Sequence, residues 1–262
     1  MNTPAQIAKN YVEAGAAKAK TPTAKLFVLA ILAGVFISVA GTASSAAAAT
    51  VESASVAKLI ASVVFPAGLA MVVLAGSELF TGNCLLIIPL LEKRISLGSV
   101  VKILVVVYLG NFVGSLLFCA IAAYGGVLSL FGKGLAESCV ATAVSKCSIP
   151  FWQAFLKGIL CNVFVCIAVW MTMAATSVAG KIAALFYPIM VFVLCGFEHC
   201  IANMSYIPNG LFAKAIYGIE APALTWGAFV VKNLIPVTLG NIVGGMLVGL
   251  AYWFIYLHKG NQ

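Results

Sequence analysis

Gly76-Ser77-Glu78-Leu79-Phe80-Thr81-Gly82-Asn83 and Gly196-Phe197-Glu198-His199-Cys200-Ile201-Ala202-Asn203 obey one pattern, G-x-E-x-x-x-x-N, set 120 positions apart (198 − 78). Each interrupts a run that is otherwise apolar. A charged side chain at bilayer depth is costly and faces a bundle interior or a water-filled cavity. Irregular backbone at that depth survives only where protein or a cavity satisfies its polar groups. Paired interruptions at matching positions of two halves therefore mark a binding or permeation site near the membrane midplane.

Composition sets the class. The 262 residues are 63% hydrophobic and only 8% charged, against about 25% charged in soluble domains. There is no Asp, and two of the seven Asp and Glu residues lie in the repeated pattern. The chain reads as an integral membrane protein. The net charge of +8 comes mostly from ends and loops. It forms no clustered basic face with base-reading side chains, so nucleic acid is excluded as a partner. The eight Cys form no C-x-x-C pair and there are two His, so no metal site or cofactor is expected. Cys139 and Cys147 share one connection and could pair on an oxidising side. The apolar run from Leu26 to Ala49 follows lysines as a signal peptide does, but it exceeds the about 7–15 residues of such a segment. It reads instead as a first transmembrane helix.

Apolar spans are expected at about 26–48, 59–91, 100–124, 152–178, 182–212 and 227–257, after an Ala-rich helix within residues 1–25 and before a tail at 258–262. That first helix reads as solvated, or as lying on a membrane surface. The second and fifth spans carry the interruptions. Leu109-Gly110-Asn111 in the third span matches Leu239-Gly240-Asn241 in the sixth, and Gly34-Val35-Phe36 matches Asn162-Val163-Phe164 more weakly. The expected fold is all-α and transmembrane: six helices in two repeats, 26–124 and 152–257. Because three spans per repeat is odd, the second repeat enters inverted. Lys9, Lys18, Lys20, Lys25, Lys93, Arg94, Lys102, Lys181 and Lys259 fall on one side; Lys58, Lys133, Lys146, Lys157, Lys214 and Lys232 fall on the other. The larger set puts both termini in the cytoplasm. Gly110/Gly114 and Gly240/Gly244 have the spacing for close helix approach.

His199 is the sharpest candidate. A neutral imidazole donates one hydrogen bond and accepts another, so it could hold an anion or hand a proton to a weak base. Glu78 and Glu198 would repel an anion. They are expected, with Asn83 and Asn203, to anchor backbone freed at the breaks. Asn162 and Asn241 offer either interhelical bonds or N–H donors to a passing anion. Thr81, at the first break, offers a hydroxyl. Phe65, Leu69, Leu79, Phe80, Val165 and Phe192 are either core or narrow hydrophobic constrictions.

The runs G-S-E-L-F-T-G-N, G-F-E-H-C-I-A-N-M and N-L-I-P-V-T-L-G-N-I-V-G-G resemble signatures of the formate/nitrite transporter family, in order and spacing, from about Lys18 onward. The resemblance implies an aquaporin-like six-helix fold with helices two and five broken. It implies a homopentamer in a bacterial inner membrane, with one pore per subunit for small monovalent anions such as formate, nitrite and hydrosulfide. It makes His199 the central pore histidine, Thr81 the residue facing it, Asn162 and Asn241 pore amides and Lys146 a vestibule lysine. The six apolar side chains become two constrictions. Gly82 departs from the Ser found after Thr in formate-channel members, and taken whole the chain looks closer to the hydrosulfide branch. Other classes remain: a proton-coupled transporter, a neutral-solute channel, or a membrane redox enzyme. The chain lacks the paired Asn-Pro-Ala motifs of the neutral-solute channels and the metal or haem ligands of a redox enzyme.

Overall fold

The computed structural model describes residues 1–258; Lys259 and the rest of the expected tail lie outside the described residues. The helices are α1 (Pro4–Ala19), α2 (Thr23–Ala48), α3 (Ala54–Val64), α4 (Pro66–Ala75), α5 (Phe80–Asn83), α6 (Ile87–Leu91), α7 (Leu97–Tyr124), α8 (Gly134–Cys147), α9 (Phe151–Ala174), α10 (Val178–Leu194), α11 (Cys200–Tyr217), α12 (Trp226–Ala228) and α13 (Ile235–Tyr256). A π turn, Phe229–Leu234, joins α12 to α13. Among the described residues five helical stretches are long and apolar enough to cross a membrane: Thr23–Ala48, Ala54–Ala75, Leu97–Tyr124, Phe151–Ala174 and Trp226–Tyr256. The remaining crossing is divided between α10 and α11, of 17 and 18 residues. Pro66 divides α3 from α4, because a proline has no N–H to give the preceding turn.

The two halves are built alike. Helix α2 packs along α7, and α9 along α13. Glycines set how close these pairs lie. A Cβ on Gly114 would stand 2.0 Å from the carbonyl oxygen of Ile31, and one on Gly244 would stand 2.2 Å from that of Ile159. The small-residue faces of the third and sixth spans are thus used inside one subunit. The outward face of α7 is a row of larger side chains, Val101, Val105, Leu109, Val113, Leu117 and Ile121, all exposed. The four-residue spacing puts them on one side of the helix.

Two segments differ from expectation. Helix α1 is solvated on one face only and docks by the other. Thr3 and Gln6 form a capping box at its start, and its Ile7, Ala8, Tyr11 and Val12 are buried against Leu85, Ile88, Trp170 and Val248. The chain there is Ala-rich with few large side chains, so its apolar face is narrow in sequence, yet it docks against α6, α9 and α13. The connection carrying Cys139 and Cys147 is helix α8, and both thiols are free. Eight residues of helix separate them by about 12 Å along the axis, too far to bridge. Burial also pushes the Cys139 thiol up to about 12 and the Cys147 thiol up to about 11, which leaves little thiolate for exchange.

Candidate functional site

Each break is held by one set of bonds, made twice. Helix α4 ends on Gly76 with φ 78°, and α10 is followed by Gly196 with φ 69°. Glycine adopts this left-handed turn without a Cβ clash. The chain then runs extended through Leu79 and through His199 before re-entering a helix at Phe80 and at Cys200. In the first half, Asn111 accepts from the Phe80 N–H at 2.9 Å and donates to the carbonyls of Ala30 (2.8 Å) and Glu78 (2.9 Å). In the second half, Asn241 accepts from the Cys200 N–H at 2.9 Å and donates to Gly158 (2.7 Å) and Glu198 (2.9 Å).

The freed backbone is therefore satisfied by Asn111 and Asn241, not by the glutamates as expected. The carboxylates answer to side chains. Glu78 is met by Lys18 at 2.7 Å and by the Asn83 amide at 3.1 Å. Glu198 is met by Lys146 at 2.8 Å and by the Asn203 amide at 2.7 Å. Glu198 is buried and Glu78 partly so, and a carboxylate taken out of water is costly without such partners. Both N–H groups of Asn241 are occupied by backbone carbonyls. Those of Asn162 go to Thr81 (3.2 Å) and Asn241 (2.6 Å) carbonyls. The geometry gives these two amides to the scaffold and leaves neither a donor for a passing anion.

Thr81 and His199 meet. Thr81 Oγ1 lies 3.1 Å from His199 Nε2. The other ring nitrogen, Nδ1, accepts from the Ala202 N–H at 3.1 Å, so the imidazole caps α11. That bond needs the Nδ1 lone pair, and the network thereby assigns the ring proton to Nε2. Nε2–H donates to the Thr81 hydroxyl oxygen, and the hydroxyl keeps its own hydrogen to give. The pair has no mirror image. Offset by the repeat, His199 corresponds to Leu79 and Thr81 to Ile201. Cys166 adds a thiol donor to the Thr81 carbonyl at 3.5 Å.

On one face a cavity of about 620 Å³ leads to this pair, lined among others by Lys58, Lys146, Lys157, Glu198, His199 and Asn203. Its floor is aromatic. Phe192 stacks on the His199 ring with centroids 5.8 Å apart, and Phe65 meets Phe192 edge-on at 5.7 Å. Leu69, Leu79, Phe80 and Val165 are buried and do not line this cavity; Phe80 packs edge-on against Tyr108. Lys146 is tied to Glu198 and lies over the Tyr206 ring, and Lys58 and Lys157, which form no salt bridge among the described residues, are the other cavity lysines. Sequence reading assigned neither to the site. A lysine at 157, inside an apolar helix, was the available signal. On the opposite face α1 lies across the first break: the Tyr11 hydroxyl donates to the Gly82 carbonyl at 3.2 Å. A Cβ on Gly82 would meet only Val169, at an ordinary 3.5 Å, so the Gly for Ser departure does not reflect crowding. Among the described residues no three His, Cys, Asp or Glu converge as metal ligands.

The chain matches the formate/nitrite transporter family over residues 5–254. It is 39% identical over 273 residues to the formate channel FocA of Escherichia coli strain K12, covering 99% of this chain and 96% of that one. It is 38% identical over 277 residues to a probable formate transporter of Methanothermobacter thermautotrophicus, covering 98% of each. Among solved structures it resembles a pentameric formate channel with formate bound, with a TM-score of 0.80 and 37% identity over 90% of this chain and 98% of that one. An ion channel of the same family aligns with a TM-score of 0.82 and 29% identity over 95% and 96%. Nearly the whole chain shares this sequence and this aquaporin-like helical fold, and it belongs to the formate/nitrite transporter family of multi-pass membrane channels and transporters, not enzymes.

Proposed function

We propose that the chain is a channel for small monovalent anions (formate, nitrite or hydrosulfide) that works as a homopentamer with one pore per subunit. The observation that carries this reading is the Thr81–His199 pair at the foot of a lysine-lined vestibule with an aromatic floor. Lys58 and Lys157 raise the local anion concentration. The anion then meets a passage too apolar for a bare charge. His199 polarises the Thr81 hydroxyl by donating to its oxygen, and the hydroxyl hydrogen is offered to the anion. Such a chain of donors is stronger than either bond alone. His199 has no second proton to give while Nδ1 accepts from Ala202, so the imidazole does not neutralise the anion, which is held by the Thr81 hydroxyl as an anion. Six apolar side chains, Phe65, Leu69, Leu79, Phe80, Val165 and Phe192, form the two constrictions, while Asn111 and Asn241 hold the breaks and Glu78 and Glu198 pair with Lys18, Asn83, Lys146 and Asn203 beside them.

The curated relatives point to formate first; the overall resemblance to the hydrosulfide branch makes hydrosulfide the second anion to assay. The test is flux of formate, nitrite and hydrosulfide into proteoliposomes with internal pH recorded. Uptake without stoichiometric proton entry supports a channel, and acidification in step with uptake supports the proton-coupled alternative. No flux of any of the three, from intact pentamer, overturns the anion reading. Glycerol uptake would favour the neutral-solute alternative, which the cationic vestibule disfavours. We place both termini on the cytoplasmic side, because the ends and connections expected on the side of α1 hold the larger set of Lys and Arg in the sequence.

Assembly has its own prediction. Since the glycine faces are used within the subunit, contacts between copies must use exposed rows such as that of α7. Crosslinking in lipid nanodiscs should trap five copies, and a clean monomer or trimer would contradict it. For the gate, Leu79 stands at the repeat position of His199, and so on the passage. Leu79→Ala should raise flux and admit acetate, with a smaller stability loss than the about 2–5 kcal/mol of a packed core leucine. A large fall in melting temperature with unchanged selectivity would return Leu79 to the core.

A further inference from the structure

The last helix carries a defect that its repeat partner lacks. The matched Leu-Gly-Asn runs put 130 positions (241 − 111) between equivalent residues of α7 and of the segment ending in α13. Helix α7 is regular from Leu97 to Tyr124. The equivalent stretch, Phe229–Leu234, is a π turn in which the Ile235 N–H reaches back to the Val230 carbonyl. The cause is in the sequence. Pro236 has no N–H, and its ring clashes with the carbonyl four residues earlier in a regular helix; the residue at its place in α7 is Val106. Single π turns of this kind recur at functional sites.

The π turn delivers one side chain, Asn233, which is fully buried and whose place in α7 is taken by Ile103. Its amide donates to the Lys146 carbonyl at 3.0 Å and to Glu198 Oε2 at 3.4 Å, and its oxygen accepts from the Asn203 amide at 2.8 Å. All of its hydrogen-bonding groups point at the Lys146–Glu198 pair or its support. The first break has no such residue. Glu78 makes do with Lys18 and Asn83.

We infer that Asn233 is a positioning residue of the pore: the π turn at Pro236 brings its amide between α8 and the second break, where it holds Lys146 against Glu198 and keeps that vestibule carboxylate paired. The inference rests on the anion-channel reading for its functional consequence, but not for its geometry. Without Asn233 the last turn of α8 loses its tie to the break, and Glu198 keeps one amide where it had two. Lys146 then leaves its carboxylate more often, and the uncompensated charge faces incoming anions.

The experiment uses pentamer in proteoliposomes, with Asn233→Ala and Pro236→Val. Lys146, Lys58 and Lys157 are followed by mass spectrometry during labelling with an amine-acylating reagent, and formate flux is measured on the same preparations. In both variants Lys146 labelling should rise about three- to tenfold, the factor one hydrogen bond carries, while Lys58 and Lys157 are unchanged. The formate concentration for half-maximal flux should rise, with a smaller change in maximal flux. Lys146 labelling equal to wild type in a folded Asn233→Ala pentamer overturns the inference. Should that variant not fold, the same equality in Pro236→Val, which keeps the amide but removes the cause of the π turn, overturns it. Absence of formate, nitrite and hydrosulfide flux in wild type would instead refute the anion reading, and the labelling result would stand apart from it.

Discussion

Asn241→Leu is expected to abolish flux and to leave little folded pentamer. The volume changes little, but three backbone groups lose their partner at once: the Cys200 N–H and the carbonyls of Gly158 and Glu198. Each buried group left unpaired costs about 1–3 kcal/mol, so the sum approaches the whole stability of an ordinary domain, about 5–15 kcal/mol. The break at Glu198 then loses the side chain that ties both sides of its turn to α9 and α13. Asn241→Asp should fare nearly as badly, because a carboxylate accepts from Cys200 but donates to neither carbonyl. Thermal melting and size-exclusion profiles in mild detergent check this. A stable, conducting Asn241→Leu pentamer would show that the cage of bonds is dispensable.

His199→Phe should lower anion flux by a hundredfold or more, roughly the factor for loss of a key preorganised donor. It removes the donor to Thr81 and leaves the Ala202 N–H without its cap, so some loss of stability accompanies it, typically about 1 kcal/mol. His199→Asn separates the two roles. Asn is a good N-cap, and should restore the melting temperature, but its shorter side chain does not reach Thr81. Flux should stay low while the fold recovers. Wild-type flux in either variant would remove His199 from the mechanism. Equal recovery of flux and stability in His199→Asn would reduce it to a helix cap.

The frame of this protein is legible in its sequence because membrane physics leaves few choices. Apolar runs of the right length, two copies of G-x-E-x-x-x-x-N and two of Leu-Gly-Asn lead to an inverted pair of three-helix units. Thr81 and His199 could be singled out because polar groups at a break must have a purpose. What hid from the sequence is which polar group meets which. Asn111 and Asn241 look like interchangeable amides in apolar helices, and only the folded backbone shows that they hold the breaks while the glutamates take lysines. Helix α8 and the docked α1 were obscured for a different reason. Both are short, with apolar faces too narrow to stand out beside transmembrane spans, although each brings the lysine that faces a carboxylate at a break. The π turn had a visible signal in Pro236, but nothing in the sequence alone says where a proline-induced turn will aim Asn233.

Those two lysines lie outside the three-helix units they serve, Lys18 on α1 and Lys146 on α8, and each precedes its glutamate in the chain. Domains and their parts become available in the order of synthesis. By the time Glu78 leaves the ribosome Lys18 is already made, and the same holds for Lys146 and Glu198. Neither carboxylate has to enter the bilayer before its counter-ion exists, which spares the nascent chain the cost of an unpaired charge in lipid. A circularly permuted gene that places α1 after α13 would reverse that order for Glu78 alone, and should insert its first half less efficiently while leaving the second half unaffected.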